Sequence, residues 1–374
     1  MCLFPTLIKN PKYRVNKKNG GNVPPLPIVK KNGVWIQDTR KLMVPVGCQK
    51  CMECMKQRAN GWRVRMLNEV TEKKNGVMVT LTFSTESLKK ILSEINEKEG
   101  YAKDNQICTK AIRLFTERWR KKYGKTIRHW MVTELGGGRW EHVHMHGVMF
   151  TDNKEDIEKI WGYGNVHVGT YLNERTINYI VKYIHKQDEK HSQYTPIVLA
   201  SKGLGKSYLK SHAAKENKYK ENGETKDWYR LNNGYKTSLP IYYRNYLYTE
   251  EQREKLWQQK LDKNVRYVLG QKIDISKTEK EYYRGLQAAQ EKNRMLGFGE
   301  KKDWKRKEYE DSRRNEIYKK RLTAEPTGAP QRITRGDSPE QYKRGGVEPP
   351  LIDGGKKISY NDDVKPNWKL ENIW

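Results

Sequence analysis

Apolar residues are scarce in this chain. Of its 374 residues only 35% are hydrophobic and five are phenylalanine, while 32% are charged. A core running the whole length is excluded, and part of the chain must be solvated. No stretch approaches the roughly 18 consecutive apolar residues of a membrane span. The opening Met1-Cys2-Leu3-Phe4-Pro5 lacks the long apolar run of a secretion signal. No membrane is therefore expected among its partners, and the chain is expected to stay in the compartment where it is made. Cysteine is also sparse, with five in all and three of them between positions 48 and 54. That pattern excludes a disulfide framework and suits a reducing compartment and a metal. Acidic residues are in deficit: 74 Lys and Arg against 45 Asp and Glu give a net charge of +29. Such a balance favours a polyanionic partner, by default nucleic acid, because neutralising phosphates releases counterions. The plain alternative is a merely basic, ribosomal-type protein.

What apolar periodicity there is falls between residues 76 and 186. Val77–Phe83 reads as a buried strand. Ser84 then caps a helix carrying Leu88, Ile91 and Leu92. A second helix is expected over Thr109–Tyr123. Arg128–Leu135 and His142–Phe150 read as two strands joined at Gly136-Gly137-Gly138, a hairpin signal. A short helix over Glu155–Trp161, a strand over Gly164–Tyr171 and a helix over Asn173–Lys186 complete the region. The fold class expected is α+β, with a central antiparallel sheet flanked by helices. The segments expected are a Cys-rich N-terminal segment (1–75), the central domain (76–190), a Lys/Tyr-rich extension with few helical signals (191–248), a long, solvated, basic helical region (249–322) and a disordered tail (323–374). No internal repeat is visible.

Chemistry concentrates at His142-Val143-His144-Met145-His146. Alternate side chains of a strand share a face, so the three imidazoles point one way and neighbouring pairs can grip one cation. A surface stripe of histidines would look the same. Glu134, across the glycine turn, is either an ordinary strand-end acid or the carboxylate of a facial His-His-carboxylate set. That set suits Mg²⁺ or Mn²⁺ and keeps positions open for a phosphate oxygen. Farther on, Tyr179 and Tyr183 stack on one helical face, each followed three residues later by a lysine, Lys182 and Lys186. Two helical tyrosines ordinarily pack or stack on bases. Beside a metal, with ammonium groups favouring the phenolate and holding a phosphate, they can act as nucleophiles.

The strand, the His-apolar-His strand and the helix with Tyr-x-x-x-Tyr and its lysines, in that order, resemble the HUH endonuclease superfamily. Within it they resemble the replication initiators of small single-stranded DNA microviruses of the gokushovirus and phiX type. Met1–Pro5, Asn10–Tyr13, Val44–Cys51, Ser201–Gly205 and Leu239–Tyr243 are similar as well, so the likeness covers roughly residues 1–250. The resemblance implies that His144 and His146 are metal ligands, with Glu134 as the acidic third. The triple histidine also permits a one-step slip to His142 and His144. It further implies Tyr179 and Tyr183 as nucleophiles assisted by Lys182 and Lys186, and a divalent ion, Mg²⁺ or Mn²⁺, at the scissile phosphate. The expected activity is a site-specific nick at a viral origin, a 5′-phosphotyrosine intermediate and religation of a single-stranded circle. Origin DNA and the host helicase and DNA polymerase would be its partners, in the bacterial host cytoplasm. A plasmid relaxase is a rival within this chemistry. A single-strand transposase is disfavoured by the paired tyrosines and the cysteine pattern. A non-catalytic, zinc-stabilised nucleic-acid-binding protein is the rival of another class.

Cys48-x-x-Cys51-x-x-Cys54 can converge on one metal, with Cys2 as the fourth ligand of a closed structural zinc site. An iron–sulfur cluster or unliganded thiols are the alternatives. Arg58, Trp62, Arg63 and Arg65 read as DNA-facing. Ala200–Ser207 nearly matches a P-loop, but Ala200 replaces the first glycine and no βα series follows. Lys202, Lys206 and Lys210 are read instead as phosphate contacts, with Tyr208 available for base stacking.

Overall fold

A computed structural model describes residues 2–300, apart from 18, 32, 98, 137–141, 187–190 and 192–193. The tail expected to be disordered and the end of the basic helical region lie outside the described residues.

The N-terminal segment forms two small antiparallel pairs. Strand β1 (Thr6–Lys9) pairs with β4 (Met43–Val46), and β2 (Ile28–Lys31) with β3 (Val34–Gln37). A long helix, α1 (Met52–Glu72), then leads into the central layer. There β5 (Gly76–Leu81), α2 (Thr85–Ser93), α3 (Gly100–Tyr123), β6 (Arg128–Leu135), β7 (Val143–Phe150), α4 (Asp156–Trp161), β8 (Val166–Val168) and α5 (Glu174–Val181) follow in order. The expected elements are present, with shifted ends. Helix α3 starts nine residues before the expected Thr109, because Ile107 and Cys108 also face the core. The tyrosine helix tightens into a 3₁₀ turn at Lys182–Ile184.

The sheet has five strands in the order β8-β5-β7-β6-β9, every pair antiparallel; β9 (Val198–Ala200) joins from beyond the expected domain end. Strand alternation gives each face its own core. Met131, Val143, Met145 and Met149 point towards α2, α3 and α4 and meet Phe115, Trp119 and Trp161. Trp130, Val132, Val148 and Phe150 point the other way, onto Ala59 and Met66 of α1 and Ile177 and Ile180 of α5. Gly147 is required where β7 crosses β6. A Cβ there would lie 2.1 Å from the Trp130 carbonyl oxygen and 2.5 Å from Met131 Sδ.

Residues 191–248 are more structured than their composition suggested. Helix α6 (His212–Glu216), the β10–β11 hairpin (Trp228–Arg230, Lys236–Ser238) and α7 (Ile241–Leu247) enclose a core of Val64, Tyr208, Leu231, Leu239, Tyr243 and Tyr248. Tyrosine supplies the apolar bulk that aliphatics supply elsewhere. Tyr208 is therefore not available to DNA: it is 3% exposed and stacks on Tyr243 at 4.4 Å between centroids.

The expected long helical region divides into α8 (Glu250–Asp262), the β12–β13 hairpin (Val265–Val268, Gln271–Asp274) and α9 (Lys280–Met295). Turn residues Leu269 and Gly270, both at positive φ, close that hairpin. Helix α9 is not purely solvated. Tyr282 and Ala289 are buried with Leu3, Cys48 and Cys51, and Asn293 Oδ1 accepts from the Met52 amide at 2.8 Å. Among the described residues no helix is long and apolar enough to cross a membrane.

Candidate active site

The register of β6 on β7 sets Glu134 directly opposite His144 and Val132 opposite His146. All three polar groups lie on the face that α1 and α5 cover. Glu134 Oε2 is 3.2 Å from His144 Nε2 and 2.9 Å from His146 Nε2. Three donors at about 2.1 Å from a cation and at right angles lie about 3.0 Å apart, so this set fits an octahedral Mg²⁺ or Mn²⁺. The donor chemistry agrees. His144 faces an acceptor at both ring nitrogens, the His142 carbonyl at Nδ1 and the carboxylate at Nε2. A cation between ring and carboxylate relieves that conflict. The three donors form one ligand group, to which His142 does not belong. Sequence reasoning had no signal for Thr80, whose hydroxyl lies 3.0 Å from His146 Nδ1 and fixes the ring so that Nε2 faces Glu134.

The tyrosines come to the same place. The Tyr183 ring stacks on His146 at 4.4 Å and 15°, and its hydroxyl is 2.7 Å from that of Tyr179. Tyr179 is 50% exposed. Lys186 reaches past the phenols and donates to Glu134 Oε1 at 2.6 Å, so it orients the carboxylate. Burial opposes ionisation of Glu134, but the hydrogen bonds from His144, His146 and Lys186 outweigh it and hold the carboxyl well below the usual carboxylate range. At Tyr183 the phenolate is not favoured, contrary to the expectation from nearby lysines. Burial, the Tyr179 hydrogen bond and the Glu134 charge all push this phenol above its ordinary value. Its activation therefore calls for positive charge beyond what the chain supplies here.

The expected DNA-facing residues separate. Arg63 and Lys182 line a depression next to the tyrosines. Trp62 and Arg65 are engaged in packing. The Arg65 guanidinium lies between the rings of Trp62 and Tyr242, at 4.1 and 3.9 Å, and its Nε donates to the Leu204 carbonyl at 3.0 Å. Burial lowers the pKa of Arg58. Lys206 sits over the Tyr246 ring at 5.4 Å, beside an exposed edge of α7. The P-loop-like segment is a clamp: the Gly205 amide, which a phosphate would use, donates to Glu69 Oε2 at 2.7 Å. Arg128 holds the same carboxylate and donates to the Gly203 carbonyl at 2.9 Å.

Cys2, Cys48, Cys51 and Cys54 form a second ligand group, with sulfurs 4.0 Å apart for Cys48–Cys54 and 3.9 Å for Cys51–Cys2. Four sulfurs at about 2.3 Å from a tetrahedral zinc are about 3.8 Å apart, so the cluster fits that ion. Backbone amides already point at the sulfurs: Cys48 N–H to Cys2 and Cys51 N–H to Cys48, both at 3.2 Å. Neighbouring thiols in this group, Cys2 foremost, pull the Cys48 thiol down to about 6. Gln49, at φ 64°, makes the turn that brings Cys51 back beside Cys48. The fifth cysteine, Cys108, is fully buried in the core of the opposite sheet face.

Fold and site together define an antiparallel-sheet protein with a Glu-His-His donor set and a tyrosine pair on one face. Comparison with known proteins narrows this. The family model of the replication-associated protein ORF2, also a gene-2 protein, matches residues 76–188, the stretch holding the donor set and both tyrosines. The chain is 23% identical over 224 residues to replication-associated protein VP4 of Bdellovibrio phage phiMH2K, covering 53% of this chain and 66% of that protein. It is 22% identical over 242 residues to replication-associated protein ORF4 of Chlamydia phage 1, covering 56% and 55% respectively. The chain thus spans less than two thirds of each of these relatives. The resemblance to small-phage replication proteins seen in the sequence is borne out by these matches. No solved structure matches the chain.

Proposed function

We propose that the chain initiates replication of a small phage genome as an HUH-type endonuclease, nicking one DNA strand through a tyrosine. The observation that carries this reading is the Tyr183 ring stacked on His146, with the Tyr179 hydroxyl 2.7 Å from its own. Glu134, His144 and His146 would hold Mg²⁺ or Mn²⁺, which when bound supplies the positive charge that draws a phosphate oxygen in and offsets the charge developing on it. Lys186 keeps the carboxylate turned towards the imidazoles, and Thr80 keeps His146 in register. Lys182 and Arg63 offer cationic groups to the strand on the α5 side.

In the nick, the phenol oxygen of one tyrosine forms a bond to phosphorus and the bond from phosphorus to the 3′ oxygen breaks. The phenolic proton is lost, and the departing oxygen takes up a proton to become a 3′-hydroxyl. The 5′-phosphotyrosine conserves the phosphodiester, so closing a circle needs no nucleotide triphosphate. A 3′-hydroxyl attacks the linkage and the phenol leaves. Two hydroxyls in mutual contact let a second cut follow the first on the same face. The strand partner is DNA, with host helicase and polymerase extending the free 3′ end. The cysteine cluster would hold a structural zinc ion and fix the N-terminus against α9. The test is incubation with single-stranded and supercoiled origin DNA and Mn²⁺. A covalent protein–DNA adduct is expected, absent with chelator and absent when Tyr179 and Tyr183 are both changed to Phe. DNA that is shifted but never cut would support the non-catalytic binding protein instead.

A further inference from the structure

Between α1 and α5 lies an open cavity of about 730 Å³, lined by Asn60, Arg63, Asn178, Lys182 and His185 and shared with the two tyrosines. None of the three metal donors lines it, and the nicking chemistry above leaves Asn60, Asn178 and His185 without a task. Its size lies within the range of roughly 300–1,000 Å³ found for pockets that enclose a small organic ligand. Two of its polar atoms, Arg63 Nε and Asn178 Oδ1, are covered from water and have no hydrogen-bond partner. Covered polar atoms without partners cost stability and call for an explanation. An occupant that bonded both would bring an acceptor for the guanidinium and a donor for the amide oxygen. A phosphate alone offers acceptors only. A nucleobase edge offers both kinds, and its attached phosphate would meet the exposed Lys182. Asparagine and arginine are also side chains that pair with base edges through two hydrogen bonds.

We propose that this cavity seats one unstacked nucleotide of the DNA strand, next to the phosphate the tyrosines address, and that Asn178 and Arg63 read its base. The proposal rests on the nicking reading for its place in the reaction, but the base preference can be measured without any reaction.

The full chain is mixed with a pool of random-sequence single-stranded DNA, once with chelator for binding and once with Mn²⁺ for adducts, and the recovered strands are sequenced. The wild type is expected to prefer one base at a single position by roughly tenfold. Asn178→Ala flattens that position, and Arg63→Ala flattens it and weakens binding. Asn178→Asp keeps the side-chain size and is expected to move the preference towards cytosine, whose amino group a carboxylate accepts. A wild type without any positional preference, or a preference unchanged in folded Asn178→Ala and Asn178→Asp, overturns the proposal. Strands enriched by binding with no adduct in Mn²⁺ would defeat the nicking reading and leave the cavity assignment standing.

Discussion

Glu69 offers a sharp test of how α1 is held to the sheet. Its carboxylate is fully buried. It accepts from Arg128 Nε, from Arg128 Nη2 at 2.8 Å and from the Gly205 amide at 2.7 Å. Glu69→Ala leaves a guanidinium and an amide facing a hole. Breaking a buried pair costs about 3–5 kcal/mol. Arg128 is 29% exposed, so water recovers part of its solvation and the lower end applies. We expect a loss of about 3 kcal/mol, seen as a fall in melting temperature of roughly 6 °C for a unit of this size. Glu69→Gln keeps an acceptor oxygen and should lose about half as much. The pH dependence follows from the same contacts. Burial works against ionisation, but the bonds from Arg128 and Gly205 prevail and lower the carboxyl from its ordinary 4.5. The stabilisation is therefore present above about 4.5 and is lost as pH falls through the lowered native value. Denaturant titrations at pH 7 and at successively lower pH measure both effects. A loss under about 1 kcal/mol at pH 7, or the same acid transition in Glu69→Gln and wild type, would refute the clamp.

The remaining predictions concern the metal sites and the sheet. Elemental analysis should find about one zinc per chain, and Cys51→Ser should lose it together with several degrees of melting temperature. Under about half a zinc per chain would rule out a full-occupancy cluster. Mn²⁺ affinity should fall about 10- to 100-fold in Thr80→Val, whose side chain no longer orients His146; unchanged affinity would remove Thr80 from the site. Gly147→Ala forces a Cβ to 2.1 Å from the Trp130 carbonyl. It should therefore separate β6 from β7 and yield little folded protein, and a variant melting like wild type would contradict the described register.

Much of the central layer is legible in the sequence because its signals are local. Strand alternation puts Glu134, His144 and His146 on one face, and the four-residue step from Tyr179 to Tyr183 brings the phenols together. What is not legible depends on contacts between distant segments. No periodicity announces that Glu69 will occupy the Gly205 amide and turn a P-loop-like segment into a clamp. Nor does it show that Arg65 is held between Trp62 and Tyr242 and not held out to DNA. Tyrosine misleads most, since composition cannot separate a stacking platform from a core. Tyr208 and Tyr243 lie inside, while Tyr179 and Tyr246 face solvent. In α9 the sparse apolar positions Tyr282 and Ala289 suffice to dock a charged helix over the cysteine cluster.

Trypsin separates the two candidate nucleophiles, since cleavage after Arg175, Lys182 and Lys186 leaves Tyr179 and Tyr183 on different peptides. After reaction with origin DNA in Mn²⁺ and removal of all but the linked nucleotides, mass spectrometry should find a nucleotide phosphate on one or both of these peptides. A nicked strand whose protein carries no added mass there, or carries it on another residue, would contradict the assignment of this tyrosine pair.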